Sequence, residues 1–152
     1  MRKTNKINVL AMLLLLVVSF SSCDKREEKN KALSFTTIWK SAFGVGSKQN
    51  KIINSQEEWE DFLMAWPKWE IDSFSETEID FDRNQIIIVI DEVHPDTSWS
   101  ISITRITEYS DNIIVTVQVK THDGNRFYVE THPYHIVKIP VITKSIEFIY
   151  IN

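Results

Sequence analysis

Three carboxylates and one imidazole lie within six consecutive residues, Asp91–Asp96 (DEVHPD). Carboxylate and imidazole side chains are among those that most often transfer protons in enzymes. The segment therefore suits either general acid–base chemistry or weak binding of a cation. We favour a simpler interpretation, a solvated connection between two strands, because the sequence indicates neither a nucleophile nor an oxyanion donor for these groups.

A second candidate for chemistry is the pair of imidazoles in His132–His135 (HPYH). In a strand, side chains three residues apart point to opposite faces, so the two rings diverge unless Pro133 kinks the chain. We expect one histidine to point inward beside Val137 and the other to lie near a turn. The sequence therefore predicts no metal site, and it implies no small-molecule cofactor.

The sequence has none of the motifs of an established chemistry. It contains no G-x-S-x-G elbow, no H-E-x-x-H pair and no glycine loop that opens a helix. The single cysteine, Cys23, lies in an N-terminal segment with a different role, so cysteine catalysis is excluded. We predict no catalytic residue and expect the chain not to be an enzyme.

The candidate binding residues include two tryptophans. Trp99 fits an alternating strand, whereas Trp69 follows the helix terminator Pro67 and fits no element. An exposed tryptophan near a loop is typical of an interaction hot spot, although a tryptophan that caps the edge of a sheet is an equally good interpretation. We predict a partner-binding surface made of four residues, Trp69, His94, Asp96 and Trp99.

The first 22 residues have the pattern of a secretory signal. Basic residues open the chain, and Val9–Phe20 (VLAMLLLLVVSF) is apolar except for one serine. This run has twelve residues, whereas a helix needs roughly 20 to cross a bilayer, so a retained membrane span is the weaker interpretation. Ser21 and Ser22 precede Cys23 as in a bacterial lipoprotein signal, with Phe20 in place of the usual leucine. This resemblance implies cleavage before Cys23, a diacylglycerol on its thiol and an acyl chain such as palmitate on its amino group.

Residues 23–33 continue as a charged segment that cannot bury apolar surface, and we predict that they form a flexible tether. Lipid on Cys23 would hold the protein at a membrane of a Gram-negative cell envelope, most simply at the outer membrane or the cell surface. Removing residues 1–22 leaves 130 residues, and the loss of three basic side chains changes the formal net charge from −4 to −7. This acidic balance argues against nucleic acid as a partner.

One amphipathic helix is predicted over Ser55–Trp66 (SQEEWEDFLMAW). Ser55 and Glu58 form a capping box at its start, and Pro67 ends it. Trp59, Phe62, Leu63 and Trp66 recur at helical spacing and make one apolar stripe, which needs a sheet to pack against.

The rest of residues 34–152 is predicted to form about seven strands in a single domain. Leu33–Lys40 is the first, after which Ser41–Asn50 forms a turn, and Gln85–Ile90 (QIIIVI) is a central strand buried on both faces. Alternating apolar residues predict further strands around Trp99–Thr104, Ile113–Lys120, Tyr134–Val141 and Ser145–Ile151, with an Asp-Gly hairpin signal in His122–Asn125. We therefore predict an α+β fold, mainly an antiparallel sheet with one packed helix.

Taken together, several segments of residues 34–142 resemble the C-terminal domain of the PrcB family, subunits of a surface protease complex. The segments are the helix start at Ser55–Trp59, the run Ile79–Val89 (IDFDRNQIIIV), the turn and strand Pro95–Ile101 (PDTSWSI), and Pro133–Pro140 (PYHIVKIP). Members usually carry a Thr-Gly-Gly-Tyr turn where this chain has Thr97-Ser98-Trp99. The resemblance implies an accessory protein that binds or stabilises a protease without catalysis of its own.

We accordingly expect a lipid-anchored, non-enzymatic envelope protein that binds another envelope protein, a protease being one candidate. Two alternatives remain open at this point. One is a protease-inhibitor-like binder that presents residues 93–99 to an active-site cleft. The other is a glycan-binding or hydrolytic protein that uses Trp69 or Trp99 together with the carboxylates Asp91, Glu92 and Asp96.

Overall fold

A strand that is buried on both faces, β4 (Asn84–Ile90), lies at the centre of the fold. Its face of Ile86, Ile88 and Ile90 packs under two short helices, and its other face packs on a second sheet. The computed structural model describes residues 30–152. Its other elements are β1 (Lys31–Leu33), β2 (Thr36–Ser41), β3 (Gln49–Ile53), α1 (Gln56–Met64), α2 (Lys68–Ile71), β5 (Trp99–Glu108), β6 (Asn112–Thr121), β7 (Tyr134–Pro140) and β8 (Ser145–Ile151).

The described strands form two four-stranded sheets. The first has the order β2-β7-β4-β3, and the second has the order β1-β5-β6-β8. All neighbouring pairs are antiparallel except β6 and β8, which are parallel. The prediction of a mainly antiparallel β protein is confirmed, with eight strands in place of about seven and two short helices in place of one.

The two faces of the first sheet bury different side chains. On the helix side, five buried aromatic side chains pack among seven isoleucines, with Trp59 stacked on Phe62 at 5.6 Å between ring centroids and Trp66 against Tyr134 at 4.4 Å. Between the sheets the core consists entirely of buried isoleucine and valine, with partly buried neighbours such as Phe35 and Phe148. Because Trp59 and Phe62 are three residues apart, they lie on the same face of α1, and this face is buried against the first sheet.

Helix α1 begins as the sequence predicts. The Ser55 hydroxyl accepts the Glu58 N–H at 3.2 Å, and the Glu58 carboxylate accepts the Asn54 N–H at 2.9 Å. These bonds satisfy amides that have no partner within the helix. The helix ends at Met64, slightly earlier than predicted, and Pro67 is the N-cap of a second helix that the sequence analysis missed.

Four predictions about strands and their connections need correction. The predicted strand Leu33–Lys40 is split, because the chain crosses from the second sheet to the first between Leu33 and Thr36, and β3 begins at Gln49, inside the predicted turn. The segment Lys31–Leu33, which composition assigned to the tether, pairs with the end of β5. The expected hairpin after β6 is wrong, because β6 and β7 belong to different sheets and residues 122–133 connect them.

The strand registers define two ends of the sandwich. At one end, which we call the loop end, lie the connections 42–48, 91–98 and 122–133. At the other, the Lys31 end, the chain joins β1, and Lys31 pairs with Glu108 at the far end of β5. Cys23 and the predicted signal lie outside the described residues. Neither helix within residues 30–152 has the length and apolar character needed to span a membrane.

Candidate interaction site at the loop end

Backbone hydrogen bonds join the three connections of the loop end. Residues 42–44 bind the third connection, because His132 donates its N–H to Ala42 and accepts the Gly44 N–H, both at 2.8 Å. The close approach leaves no room for a side chain at position 44, where a Cβ atom would lie 2.6 Å from the His132 oxygen. His94 and Thr131 exchange two backbone bonds of 2.9 Å, so the second connection is tied to the third as well.

Asp91 is the centre of a buried polar group in the second connection. It is 1% exposed, its carboxylate accepts the His94 Nε2–H at 2.9 Å, and the Lys48 ammonium lies 3.3 Å from its other oxygen. Burial alone would raise the pKa of Asp91. The bonds from His94, from the Glu92 N–H and from Lys48 outweigh that effect and hold the pKa below its ordinary value. Asp91 therefore remains a carboxylate that fixes its neighbours.

The interpretation of Asp91–Asp96 as a solvated connection is wrong for three of its four ionisable residues. Asp91, His94 and Asp96 are buried, and only Glu92 is exposed. Ligand atoms of Asp91, Glu92 and His94 lie within 4.8 Å of one another, a spacing that suits a metal ion. Both Asp91 oxygens are already engaged by donors, and His94 directs an N–H at one of them, so the group is arranged as an internal hydrogen-bond network.

Asp96 organises the turn that precedes β5. Its carboxylate accepts the Ser98 hydroxyl at 2.5 Å and the Ser98 N–H at 2.8 Å. These two bonds, the hydroxyl first, lower the pKa of Asp96. The Thr131 hydroxyl donates to the Asp96 carbonyl at 2.8 Å. The turn before β5 is thus held by hydrogen bonds that involve the Asp96 carboxylate and the Thr131 hydroxyl.

His94 and Trp99 are brought together, as their joint prediction required, but not as two exposed side chains. Their rings are stacked at 4.2 Å between centroids and 7° between planes, and His94 is buried beneath the partly exposed Trp99. A cleft of about 360 Å³ opens beside Trp99 and is also lined by Val119, Lys120, Thr121 and Asn152.

Trp69 is exposed but lies in a different layer from Trp99. It is carried by α2 on the helix side of the first sheet, whereas Trp99 begins β5 of the second sheet. Its neighbour Glu70 is buried and accepts the Trp39 indole N–H at 3.0 Å and the Tyr134 hydroxyl. Within residues 30–152 no ring contact joins Trp69 to Trp99. The four predicted binding residues therefore do not form one exposed patch.

The exposed apolar surface of the loop end lies on residues that the sequence analysis did not select. Tyr128 is 88% exposed and Phe127 is 70% exposed, in the third connection. Their segment is anchored from below, because the Thr97 hydroxyl accepts the Phe127 N–H and the Phe127 carbonyl accepts the Thr97 N–H, both at 3.1 Å. Three more exposed apolar side chains lie on these connections, Phe43, Val93 and Val129. The available signal was a Phe-Tyr-Val run that follows Asp123-Gly124 and belongs to no strand.

His135 fulfils the prediction of an inward histidine. It lies on β7 beside Val137, facing the second sheet, while His132 precedes the strand. Its Nδ1 accepts the Ile103 N–H at 2.9 Å, next to an irregularity in the β5 register, so its Nε2 carries the proton that faces the Thr37 hydroxyl at 2.9 Å. Burial, and secondarily the Lys40 charge, lower the pKa of His135 to about 4. Both ring nitrogens are engaged, so the ring ties the two sheets together.

Comparisons of the chain with protein-family models, with curated proteins and with solved structures give no match.

Proposed function

We propose that this chain is a lipid-anchored, non-enzymatic accessory protein of a Gram-negative cell envelope that binds another envelope protein through its loop end. The lipoprotein signal before Cys23 supports the anchor. The resemblance of residues 34–142 to the PrcB family supports a role beside a protease. The observation that carries the proposal is the set of exposed apolar side chains on connections that buried hydrogen bonds hold in place.

Exposed aromatic residues on a fixed framework suit binding for a physical reason. A side chain such as Tyr128 offers a large contact area with few rotatable bonds, so little conformational entropy is lost on association. The Thr97 bonds to Phe127 and the paired bonds between His94 and Thr131 restrict the backbone beneath it. The same side chains left on a mobile loop would lose more entropy on binding.

The position of the loop end fits a tethered protein. The described chain starts at the Lys31 end, and β5 spans the sandwich from there to the loop end with ten residues. At about 3.3 Å per residue this distance is roughly 30 Å. A lipid on Cys23 would therefore leave Phe127 and Tyr128 directed away from the anchor, toward a partner that projects from the membrane.

Site-specific photo-crosslinking in intact cells tests the contact surface. A photoreactive residue at position 128 should give one defined adduct, whereas the same residue at Asp111, which is exposed in the turn at the Lys31 end, should give none. We expect the double variant Phe127→Ser, Tyr128→Ser to weaken partner affinity at least tenfold, as at a hot spot. Ile149→Ser, at an exposed position of β8, is the matched control and should retain affinity.

Two results would contradict separate parts of the proposal. Adducts from position 111 without adducts from position 128 would remove the loop end as the contact surface, and no adduct from either position would remove the accessory function. Mass spectrometry of the mature amino terminus tests the anchor independently, since an unmodified Cys23 thiol is incompatible with it.

A further inference from the structure

Lys40 reaches from one sheet to the other at the edge of the sandwich. It lies on β2 of the first sheet, and its ammonium donates to the hydroxyl of Ser102 on β5 of the second sheet. β1 pairs only with residues 106–108 of β5, so it leaves the edge of β5 beside Ser102 uncovered. Lys40 occupies this uncovered edge.

Lys120 lies on the same part of the second sheet. The register pairs Lys120 with Ser100 and Gln118 with Ser102. Because Ile101 and Val119 point into the core between the sheets, alternation places Ser100, Ser102 and Lys120 on the outer face. Desolvation and then the Lys120 charge lower the pKa of Lys40, which agrees with two ammonium groups close together.

No carboxylate compensates these two charges. Six cationic side chains of residues 30–152 have a carboxylate partner within 4.0 Å, whereas Lys40 and Lys120 have none in that part of the chain. Lys31, Lys51 and Arg105 share this lack within residues 30–152, so the feature that distinguishes Lys40 and Lys120 is that both lie beside the same serine pair of β5. Two like charges held together at a sheet surface repel each other unless a counter-charge lies between them.

We propose that Lys40, Lys120 and the hydroxyls of Ser100 and Ser102 bind a phosphate group. Ammonium groups bind phosphate as point charges, and serine hydroxyls donate to the remaining oxygens. Lys120 also lines the cleft beside Trp99, so this cleft offers room for an organic group attached to a phosphate that Lys120 holds. The ligand class is therefore inorganic phosphate or a phosphate ester. This inference does not depend on the identity of the protein partner.

Thermal unfolding of the full chain in an uncharged detergent tests the site, with inorganic phosphate titrated against chloride at constant ionic strength. Phosphate should raise the melting temperature of the wild type, because a ligand that binds the native state stabilises it. We expect Lys40→Gln and Lys120→Gln each to weaken the apparent affinity about threefold to tenfold, and the double variant to abolish the effect. Lys51→Gln removes the same charge from β3 and should leave the effect unchanged.

A second measurement without phosphate keeps the test valid for any variant. Lys120→Gln should raise the melting temperature in chloride, since it removes the repulsion on Lys40, whereas Lys51→Gln should not. No stabilisation of the wild type by phosphate would overturn the proposal. An equal response of the double variant and the wild type, or an equal loss in Lys51→Gln, would overturn it as well.

The source of the phosphate is distinguished by its esters. Glycerol 3-phosphate represents a phospholipid headgroup, and glucose 6-phosphate represents a sugar phosphate. Tighter binding of either ester than of inorganic phosphate, lost on Trp99→Ala, identifies that source and supports the cleft. Weaker binding of both esters than of inorganic phosphate supports a site for free phosphate alone, and equal affinities for all three ligands mean that the site recognises only the phosphate group.

Discussion

The two ends of the sandwich bury different chemistry. Among residues 30–152 eight polar side chains are buried. Six of them lie at the loop end or within two residues of it, and a seventh, Glu70, is bonded to Tyr134 at the start of β7. These seven are Glu70, Asp91, His94, Asp96, Ser98, Thr131 and His135. Toward the Lys31 end Gln85 is the one buried polar side chain of the described residues. Ion pairs there, such as Lys144–Glu108 and Arg83–Asp80, are exposed or half-exposed and form no buried network.

This difference suggests that the two ends serve different purposes, since buried apolar groups mainly add stability and buried polar groups mainly select one conformation. Apolar side chains would stabilise the loop end with less desolvation, since a buried charge contributes net stability only when its partners are well placed. A buried hydrogen-bonded network instead favours one backbone conformation, because a different conformation breaks its bonds and leaves buried donors and acceptors unpaired. We infer that the polar network of the loop end holds the backbone of Phe127 and Tyr128 in one conformation. The Lys31 end has no such network and contributes only to the packing of the two sheets.

The largest expected effect comes from His135, and it depends on pH. With a folded pKa of about 4 and an unfolded value near 6.5, the unfolded state binds the proton more readily between these values. Stability is therefore complete above about pH 6.5 and decreases as the pH falls toward 4, by about 3 kcal/mol over the whole range. Urea unfolding at pH 7.5 and pH 4.5 measures most of this loss.

His135→Gln should remove that part of the acid sensitivity, because glutamine can still accept the Ile103 N–H but does not titrate. His122→Gln, at an exposed position of the loop end, is the control for the loss of an imidazole that is not buried between the sheets. A His135→Gln variant that lost as much stability between pH 7.5 and 4.5 as the wild type would refute the role given to this ring.

The next effect comes from Asp91. Asp91→Ala leaves the buried His94 N–H without an acceptor and removes the partner of Lys48, so we expect a loss of about 2–3 kcal/mol at pH 7. The depressed pKa of Asp91 means that its contribution is present above the unfolded value near 3.9 and is lost as the pH falls through the folded value.

Glu92→Ala is the matched control for Asp91→Ala, since it removes the same charge from the adjacent exposed residue. Hydrogen exchange distinguishes the ends directly. In Asp91→Ala the amides of His94 and Thr131 should exchange faster, while those of β5 near Glu108 should not. Uniformly faster exchange in both places would mean that the network supports the whole fold and has no special role at the loop end.

The sequence predicted those features that depend on one element at a time. The apolar run of β4 indicated burial on both faces, and Ser55 with Glu58 fixed the start of α1. The inward direction of His135 followed from strand alternation. Each of these predictions rests on periodicity or capping, which a short window of sequence contains.

The features that depend on contacts between distant segments were not predicted. A cluster of charges such as Asp91–Asp96 resembles a solvated loop, because the segments that cover it lie more than 30 residues away in the chain, where Lys48 pairs with Asp91 and Thr131 donates to the Asp96 carbonyl. The Asp123-Gly124 pair indicated a tight hairpin, but β6 and β7 belong to different sheets and do not pair with each other. Phe127 and Tyr128 were overlooked since an apolar pair outside any period gives no sign of being exposed.

The smallest expected effect tests the other side of the comparison, at the Lys31 end. The Arg83 Nε lies 3.7 Å from an Asp80 carboxylate oxygen just before β4, and both side chains are largely exposed. Arg83→Gln should change the free energy of unfolding by about 0.5 kcal/mol or less, because water and salt screen such a pair. The wild-type ion pair should weaken further in 0.5 M salt, where the wild type and the variant should have the same free energy of unfolding. A loss as large as that in Asp91→Ala would show that the Lys31 end depends on charge pairing as much as the loop end does, and the division between a specified end and a merely closed one would no longer hold.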